Sequence, residues 1–322
     1  MTDLQNPIFT NVDKAREALE AARWPNGPYC PHCGNSDSEK IAKIEGKKQS
    51  HRPGLYYCNE CKGQFTVTVG TVFERSKVPL TKWWLATHLI SSSKKGISAH
   101  QLHRMLGVTY KTAWFMAHRI REAMKDMNPG PMGGEGKVIE ADETYYGKRE
   151  TPHVLSPRSV PAKSGKTHGS SKKRIIFGLV ERGGPVQTFH IQSATGFEVR
   201  KIMVKTVSRK SHLQTDEAGI YKELGKEFAS HKSVNHSKGE YVRGSAHTNT
   251  VENVWSVFKR GMKGVYQHCG EAHLHRYLAE FTFRHNNRSA LKVSDRERTE
   301  KIMDGIFGKR LTYRRIDQGQ NA

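Results

Sequence analysis

Long hydrophobic runs are missing from this chain. No stretch of about 18 apolar residues occurs, so no segment is expected to span a membrane. The opening MTDLQNPIFTNVDKAREALE lacks the basic-then-apolar layout of a signal peptide, and the expected location is the cytoplasm. Acidic residues are scarce: 31 Asp and Glu stand against 53 Lys and Arg, a formal net charge of +22. An excess of that size repels itself and calls for a large polyanion, for which nucleic acid is the best fit. Cysteines are few as well. Four of the five lie in two CxxC pairs, which suits metal binding in a reducing compartment better than a disulfide framework. The hydrophobic share of 35% is nevertheless enough for packed cores, which excludes a disordered polycation, and 322 residues leave room for two or three modules.

Thr10 and Asp13 form a capping signal for a helix through NVDKAREALEAARW, which Pro25 and Gly27 end. Two knuckles follow, Cys30-Pro-His-Cys33-Gly and Cys58-Asn-Glu-Cys61-Lys-Gly, with 24 residues between the pairs. Four thiolates at that spacing can close a tetrahedral shell around one structural Zn²⁺. Gly34 and Gly63 stand where a tight turn favours positive φ. His32 lies between two ligands, but the four thiolates already complete the shell. Beyond the second knuckle, Phe65, Val67 and Val69 alternate with Gln64, Thr66 and Thr68 in the period of a half-buried strand. Together these features describe a zinc ribbon. Cys269 stands alone and is expected to be a small buried residue.

From Leu80 the spacing turns helical. Ser98 can cap AHQLHRML, Gly107 can make a turn, and Thr109 can cap YKTAWFMAHRIREAM, with Leu102, Met105, Leu106, Val108, Ala113, Ala117 and Ile120 as a shared core. Helix, Gly-containing turn and second helix match a helix-turn-helix. That arrangement would bring Tyr110, Lys111 and Thr112 to DNA, with His118, Arg119 and Arg121 further along; an ordinary helical hairpin fits the pattern equally well.

A turn-rich segment, Asn128-Pro-Gly-Pro-Met-Gly-Gly, marks a boundary. KVIEADETYYG, RIIFGLVERGG and VQTFHIQS then predict three strands, the last two joined as a hairpin, followed by a helix over residues 197–207 and a short strand ending at Asp216. This is the layout of an α/β domain with one mixed central sheet and flanking helices, and it suits the ribonuclease-H-like fold. Between the first two strands, residues 147–174 hold eight Lys or Arg and one acidic residue, ending in Lys172, Lys173 and Arg174. A long Pro/Gly/Ser-rich basic connection is expected to contact DNA phosphates. In the helix near Thr248, Val251, Val254, Trp255, Phe258 and Met262 form an apolar stripe, beside a polar one of Asn249, Glu252, Ser256, Lys259 and Lys263. Asp142, Asp216 and Glu252 are thus two strand-borne aspartates and one helix-borne glutamate, the set a two-metal phosphodiester site needs to hold two Mg²⁺ or Mn²⁺ ions. Lys259 would hold a phosphate. Glu140, Glu143 and Glu217 compete with the aspartates, Glu143 and Glu217 from the opposite face and Glu140 from the same face as Asp142. Asn249 and Asn253 flank Glu252 and compete for the third position. In the tail, Leu274, Tyr277, Leu278 and Phe281 keep helical spacing before RHNNR, which makes His285, Asn286 and Arg288 candidates for backbone contact.

The chain resembles bacterial insertion-sequence transposases of the zinc-ribbon DDE group, the family numbered 1595 with its ISXO2-like transposase domain. The similarity is carried by ARWPNGPYCPHCG, GQFTVTVGTVFERSKVPLTKWW, IEADETYYGK, LQTDEAGIYKEL, HTNTVENVWSVFKRGMKGVYQH and HLHRYLAEFTFRHNNR, and it covers nearly the whole chain. It implies that Asp142, Asp216 and Glu252 correspond to the family's acids and Lys259 to the basic residue after the third. The implied function is an enzyme that binds the terminal inverted repeats of its element, nicks the ends to give 3′-hydroxyls and joins them to target DNA. Double-stranded DNA, as element ends and as target, is the expected partner. A dimer or higher oligomer is expected in the synaptic complex, at the bacterial nucleoid. The rivals are a nuclease or resolvase that cleaves without joining, and a DNA-binding regulator with an inert C-terminal domain. The expected division is an N-terminal helix (1–26), the ribbon (27–78), the helix-turn-helix-like region (79–127), the catalytic domain (128–290) and a helical tail (291–322).

Overall fold

Residues 3–45, 51–150 and 173–312 are described by the computed structural model, and the chain falls into two units. One is Met1–Asp126 with Ser289–Ala322, the other Met127–Arg288.

In the first unit, α1 (Val12–Arg23) is capped by Asn11, whose Oδ1 accepts from the N–H groups of Asp13 and Lys14 at 2.9 and 3.0 Å. The cap therefore lies one residue beyond Thr10. The ribbon sheet consists of β1 (Ile41–Lys43), β2 (Tyr56–Cys58) and β3 (Gln64–Phe65), paired antiparallel in that order. β3 is shorter than its alternation suggests. Arg23 Nη1 takes the carbonyls of Val67 and Val69, both at 2.6 Å, so these acceptors serve a guanidinium and the chain turns after Phe65. Phe65 and Val67 remain buried. In the second knuckle Lys62, at φ +58°, makes the left-handed turn expected of Gly63. Gly63 is needed for closeness instead: a Cβ there would lie 3.3 Å from both Cys61 Sγ and the His32 ring.

Helices α2 (Leu80–Ser92), α3 (Ala99–Leu106) and α4 (Tyr110–Ala123) follow. Ser98 Oγ accepts from Gln101 N at 3.1 Å, Gly107 ends α3 at φ +57°, and Thr109 Oγ1 accepts from Thr112 N at 3.2 Å, so each punctuation residue works as its chemistry suggests. Leu102, Leu106, Ala113, Ala117 and Ile120 are buried, whereas Met105 is 50% exposed. An eight-residue helix presents one narrow stripe, and Leu102 with Leu106 fills it.

The second unit is built on a five-stranded sheet of β4 (Val138–Lys148), β5 (Lys173–Glu181), β6 (Val186–Ile191), β7 (His212–Thr215) and β8 (Ser230–Ser233), in the order β6-β5-β4-β7-β8. The first three strands run antiparallel; β7 and β8 run parallel to β4. This is the ribonuclease-H-like fold. The two-residue period of β5 divides the core: Ile175, Phe177 and Leu179 join Val199 and Met203 of α5 (Gly196–Thr206) and Tyr221 of α6 (Tyr221–Leu224), while Ile176 and Val180 join the other face. A small hairpin of β9 (Val242–Arg243) and β10 (Ala246–His247) leads into α7 (Asn249–Gly261), which continues as a π-helical turn at Met262–Tyr266. With α8 (Leu274–Asn286), α7 covers that second face. Asn286 is occupied inside the unit, since its amide accepts from Val186 N at 2.8 Å and donates to Val186 O at 3.0 Å along β6. This corrects the expectation that it faces DNA.

The chain then returns to the first unit. Helix α9 (Asp295–Asp304) begins with a Ser294/Glu297 capping box and packs on α2, where Thr299 Oγ1 lies 2.8 Å from Ser91 Oγ.

Candidate active site and metal centre

The four cysteines of the two knuckles converge. Their Sγ atoms all lie within 4.8 Å of one another, with Cys30 and Cys61 3.6 Å apart and Cys33 and Cys58 3.7 Å apart. A tetrahedron with Zn–S bonds of ~2.3 Å has S···S edges of about 3.8 Å, so the cluster has the size of a Zn²⁺ shell and is far too open for disulfides. The backbone N–H groups of Cys61 and Glu60 pull the Cys58 thiol down to about 6, while burial and the neighbouring thiols raise Cys33 and push Cys61 up to about 12, so four thiols this close cannot all ionise without a cation among them. His32 Nε2 lies 3.3 Å from the Gln64 carbonyl, so the imidazole supports β3.

In the second unit the strand period puts Glu140 and Asp142 on the face of β4 covered by α7. The neighbour opposite Asp142 is Gly178 of β5. A Cβ at Gly178 would lie 2.4 and 2.6 Å from Trp255 Cζ2 and Cη2, so the glycine vacates the space the indole fills. Trp255 Nε1 in turn donates to Asp142 Oδ2 at 2.9 Å. Gly178→Ala is therefore expected to displace the indole, lower stability by roughly 1–3 kcal/mol and break that hydrogen bond. An unchanged melting temperature together with unchanged tryptophan fluorescence would contradict this account.

Asp216 follows β7, and its Oδ1 accepts from Ala218 N at 3.0 Å. Glu252 lies in the first turn of α7, where the Thr248 hydroxyl donates to Oε1 at 2.8 Å and His236 Nε2 stands 3.4 Å away. The three acids feel one another. Burial, reinforced by the charges of Asp216 and Glu252, pushes the Asp142 carboxyl up to about 7. Burial also raises Asp216, with the charges of Glu217 and Glu252 adding to it and the Ala218 N–H and His236 opposing. Among the described residues only the cysteine cluster meets the 4.8 Å separation, so the carboxylates form a looser group than the thiols.

The competing acids are each engaged. Glu143 projects from the other face of β4 and accepts the Tyr221 hydroxyl; burial pushes its carboxyl up to about 7 against that hydrogen bond. Glu217 is not on a continuing strand, because β7 stops at Thr215. It accepts from the Ser237 hydroxyl and from the N–H groups of His236 and Ser237 at 2.9 and 3.1 Å, which hold its carboxyl down to about 2. Glu140 is fully buried under the start of α7. His236 and Trp255 are site residues that sequence reasoning missed. A lone glycine inside the apolar run RIIFGLV was the available signal for Trp255, since it marks a close approach; nothing comparable points to His236.

Residues 133–286 match the family described as the ISXO2-like transposase domain, and residues 11–64 match the transposase zinc-ribbon domain, together more than half of the chain. The chain belongs to the insertion-sequence transposase family numbered 1595. A relative from Halobacterium salinarum, named as an uncharacterized protein in transposable element ISH50, is 29% identical over 300 residues, which span 89% of this transposase and 97% of the relative. Among solved structures, the Mos1 strand transfer complex is 10% identical over 70% of this transposase and 78% of that chain, with a TM-score of 0.28. The Mos1 transposase paired-end complex with left transposon end is 10% identical over 70% and 80%, with a TM-score of 0.26. Likeness at that level is distant, and the sheet order above defines the fold.

The transposase presents Tyr110 and Lys111 at the start of α4, both exposed, with Tyr110 stacked on His100 at 4.3 Å and Thr112 half-buried. Arg119 is different. It is buried, donates to the carbonyls of Leu311 and Glu74 at 3.2 Å each, and covers the Phe115 ring, so its guanidinium is occupied within the protein and is withdrawn as a DNA contact. His118 and Arg121 are buried too. Arg174 is also corrected: it is buried and donates to Cys269 O at 2.5 Å and Glu150 at 3.0 Å. Lys173, Asn249, Lys259 and Lys263 are exposed. Lys172 and residues 151–171 of the basic connection lie outside the described residues. No helix among the described residues is long and apolar enough to cross a membrane.

Proposed function

We propose that this transposase cuts and joins DNA at the group formed by Asp142, Asp216 and Glu252. The observation that carries the reading is placement: Asp142 on β4 is bonded by Trp255 of α7, Asp216 lies just past the end of β7, which pairs parallel with β4, and Glu252 is in the first turn of α7, so that burial and neighbouring acids, Glu252 among them, raise both aspartates. Acids in that state are poor company for one another without positive charge, and hard oxygen donors suit Mg²⁺ or Mn²⁺. Asp142, Asp216 and Glu252 would hold two such ions. When bound, they neutralise charge on the attacked phosphate and activate the attacking water or 3′-hydroxyl.

The remaining groups position and orient. Trp255 fixes the orientation of Asp142 through its indole N–H. Thr248 and His236 hold Glu252 from the side. Glu252 takes the third place in preference to Asn249 or Asn253 because its charge acts on both aspartates. Lys259, two turns along the same exposed stripe, offers an ammonium to a non-bridging phosphate oxygen. Tyr110, Lys111 and Thr112 serve the element ends, and Lys173, Asn249 and Lys263 serve the flanking backbone. Two ends must be held together for joining, so the working form contains at least two chains.

An in vitro reaction with duplexes carrying the element's terminal repeat, some pre-nicked, tests the reading. With Mg²⁺ and target plasmid, both nicked ends and joined product are expected. Cleavage without any joined product from pre-nicked ends would make the protein a nuclease, and sequence-specific binding with neither product would make it a regulator.

A further inference from the structure

Glu140 is fully buried on β4. A carboxylate so placed must be met by donors or it is unstable there. Arg182 Nε lies 2.6 Å from Oε1 and the Thr250 hydroxyl 2.9 Å, while the N–H groups of Thr250 and Val251 donate to Oε2 at 2.8 and 3.0 Å. His247 Nδ1 stands 3.3 Å from Oε1. Helix α7 has no side-chain cap of its own, because Thr248 directs its hydroxyl to Glu252 instead of to the first turn. Glu140 supplies the missing cap from a neighbouring strand, with a charge of the sign that a helix N-terminus favours.

Arg182 extends the contact. Its guanidinium donates to Gln214 Oε1 on β7 and to the carbonyls of Ser245 and His247, each at 2.9 Å, and Gln214 Oε1 also accepts from His247 N at 3.0 Å. The elements that meet here are the two that carry Asp142 and Glu252 and the strand that leads into Asp216. Glu140 precedes Asp142 by two residues on β4, Gln214 precedes Asp216 by two, and Thr250 precedes Glu252 by two. The network therefore ties each acid's element one step from the acid itself.

We infer that Glu140 and Arg182 are positioning residues, which lock the start of α7 against β4 and β7 so that Glu252 is held toward Asp142 and Asp216. The inference rests on those three acids being the reacting group. Each acts through the placement of Glu252.

Full-length Glu140→Gln and Arg182→Lys, compared with wild type, test this. Glu140→Gln puts an amide NH₂ among donors, and a supporting contact of this kind is worth about 10–100-fold. The kcat for cleaving a terminal-repeat duplex is expected to fall by that factor with KM for DNA within about twofold. Tb³⁺ luminescence sensitised by Trp255, which adjoins Asp142, is expected to need about tenfold more Tb³⁺ for half-saturation. Thr250→Val removes one donor without touching a buried charge and keeps the test readable if Glu140→Gln does not fold; about a tenfold loss in kcat is expected for it. A folded Glu140→Gln or Thr250→Val with wild-type kcat and Tb³⁺ response, or with KM raised and kcat unchanged, overturns the inference. Glu252→Ala separates the two claims. If it retains cleavage, the reacting group is misassigned; if it is inactive while the folded network variants match wild type, only the positioning role fails.

Discussion

Asp142→Asn is expected to reduce strand cleavage at least about a thousandfold and, at the same time, to raise the melting temperature of the metal-free protein at pH 8. A thousandfold corresponds to about 4 kcal/mol of lost transition-state stabilisation, within reach of removing one charged donor from a two-metal group. The stability gain follows from linkage. An unfolded aspartate titrates near 3.8, and in the folded protein burial, with Asp216 and Glu252 nearby, raises Asp142 to about 7. Between those values the unfolded chain releases a proton that the folded chain keeps, so stability falls as pH rises from about 4 to 7, and the penalty persists above that. Asparagine cannot ionise, still offers an oxygen to the Trp255 N–H, and removes the penalty. A gain of roughly 4–8 °C at pH 8, absent near pH 4, is the expected size for a change of about 2 kcal/mol in a domain of this length. Glu143 is raised in the same sense and is untouched, so part of the pH dependence survives. Added Mg²⁺ is expected to stabilise wild type and leave the variant nearly unmoved. Differential scanning at pH 4 and pH 8, with and without Mg²⁺, and a cleavage gel make the comparison; retained cleavage refutes the role of Asp142, and equal melting temperatures at pH 8 refute the cost of its charge.

The parts of this structure that were legible in the sequence are those fixed by local spacing. Two CxxC pairs specify the thiol cluster because ligand geometry is short-range. The stripe through Val251, Val254, Trp255, Phe258 and Met262 specifies which side of α7 is buried, and Glu252 follows at its border. Serine, glycine and threonine around α3 and α4 act through bonds that span three residues. What escaped depends on partners distant in the chain. Glu140 and Asp142 share a strand face and look alike in sequence, yet Glu140 is committed to Arg182 and Thr250, far along the chain. Arg119 and Arg174 depart from expectation for the same reason. A guanidinium looks like a DNA contact until the carbonyls of Leu311, Glu74 and Cys269 are seen to converge on it, and five donors let arginine satisfy chain ends and turns that no ladder reaches. Basic excess, as composition, thus overstates the charge available to DNA.

Cys30→Ser is expected to take the zinc content from one ion per chain to none and to cost at least about a hundredfold in affinity for the element ends, while binding to unrelated DNA changes far less. The ribbon has little else to hold it: its three strands are two or three residues long, and its apolar centre is Trp24 with Tyr56 and Phe65, whose rings pack 5.1 to 5.9 Å apart. Structural zinc in such modules supplies about 10–16 kcal/mol of apparent binding energy, more than a core of that size can replace. A serine hydroxyl leaves three thiolates, and the neighbouring His32 is already placed against the Gln64 carbonyl, so replacing the fourth ligand would pull β3 out of register. Loss should reach past the ribbon to Arg23. Its guanidinium holds Val67 and Val69 only while the turn after Phe65 is in place, and it also lies over the rings of Trp24, Tyr29 and Phe307. The second unit has its own sheet and two cores, so unfolding monitored by Trp255 fluorescence should persist as a separate transition. Metal analysis, amide exchange across residues 27–78 and competition binding against unrelated duplex provide the measurements. Unchanged zinc stoichiometry would exclude Cys30 as a ligand, and zinc loss with end binding intact would confine the ribbon to a stabilising role and leave recognition to α3 and α4.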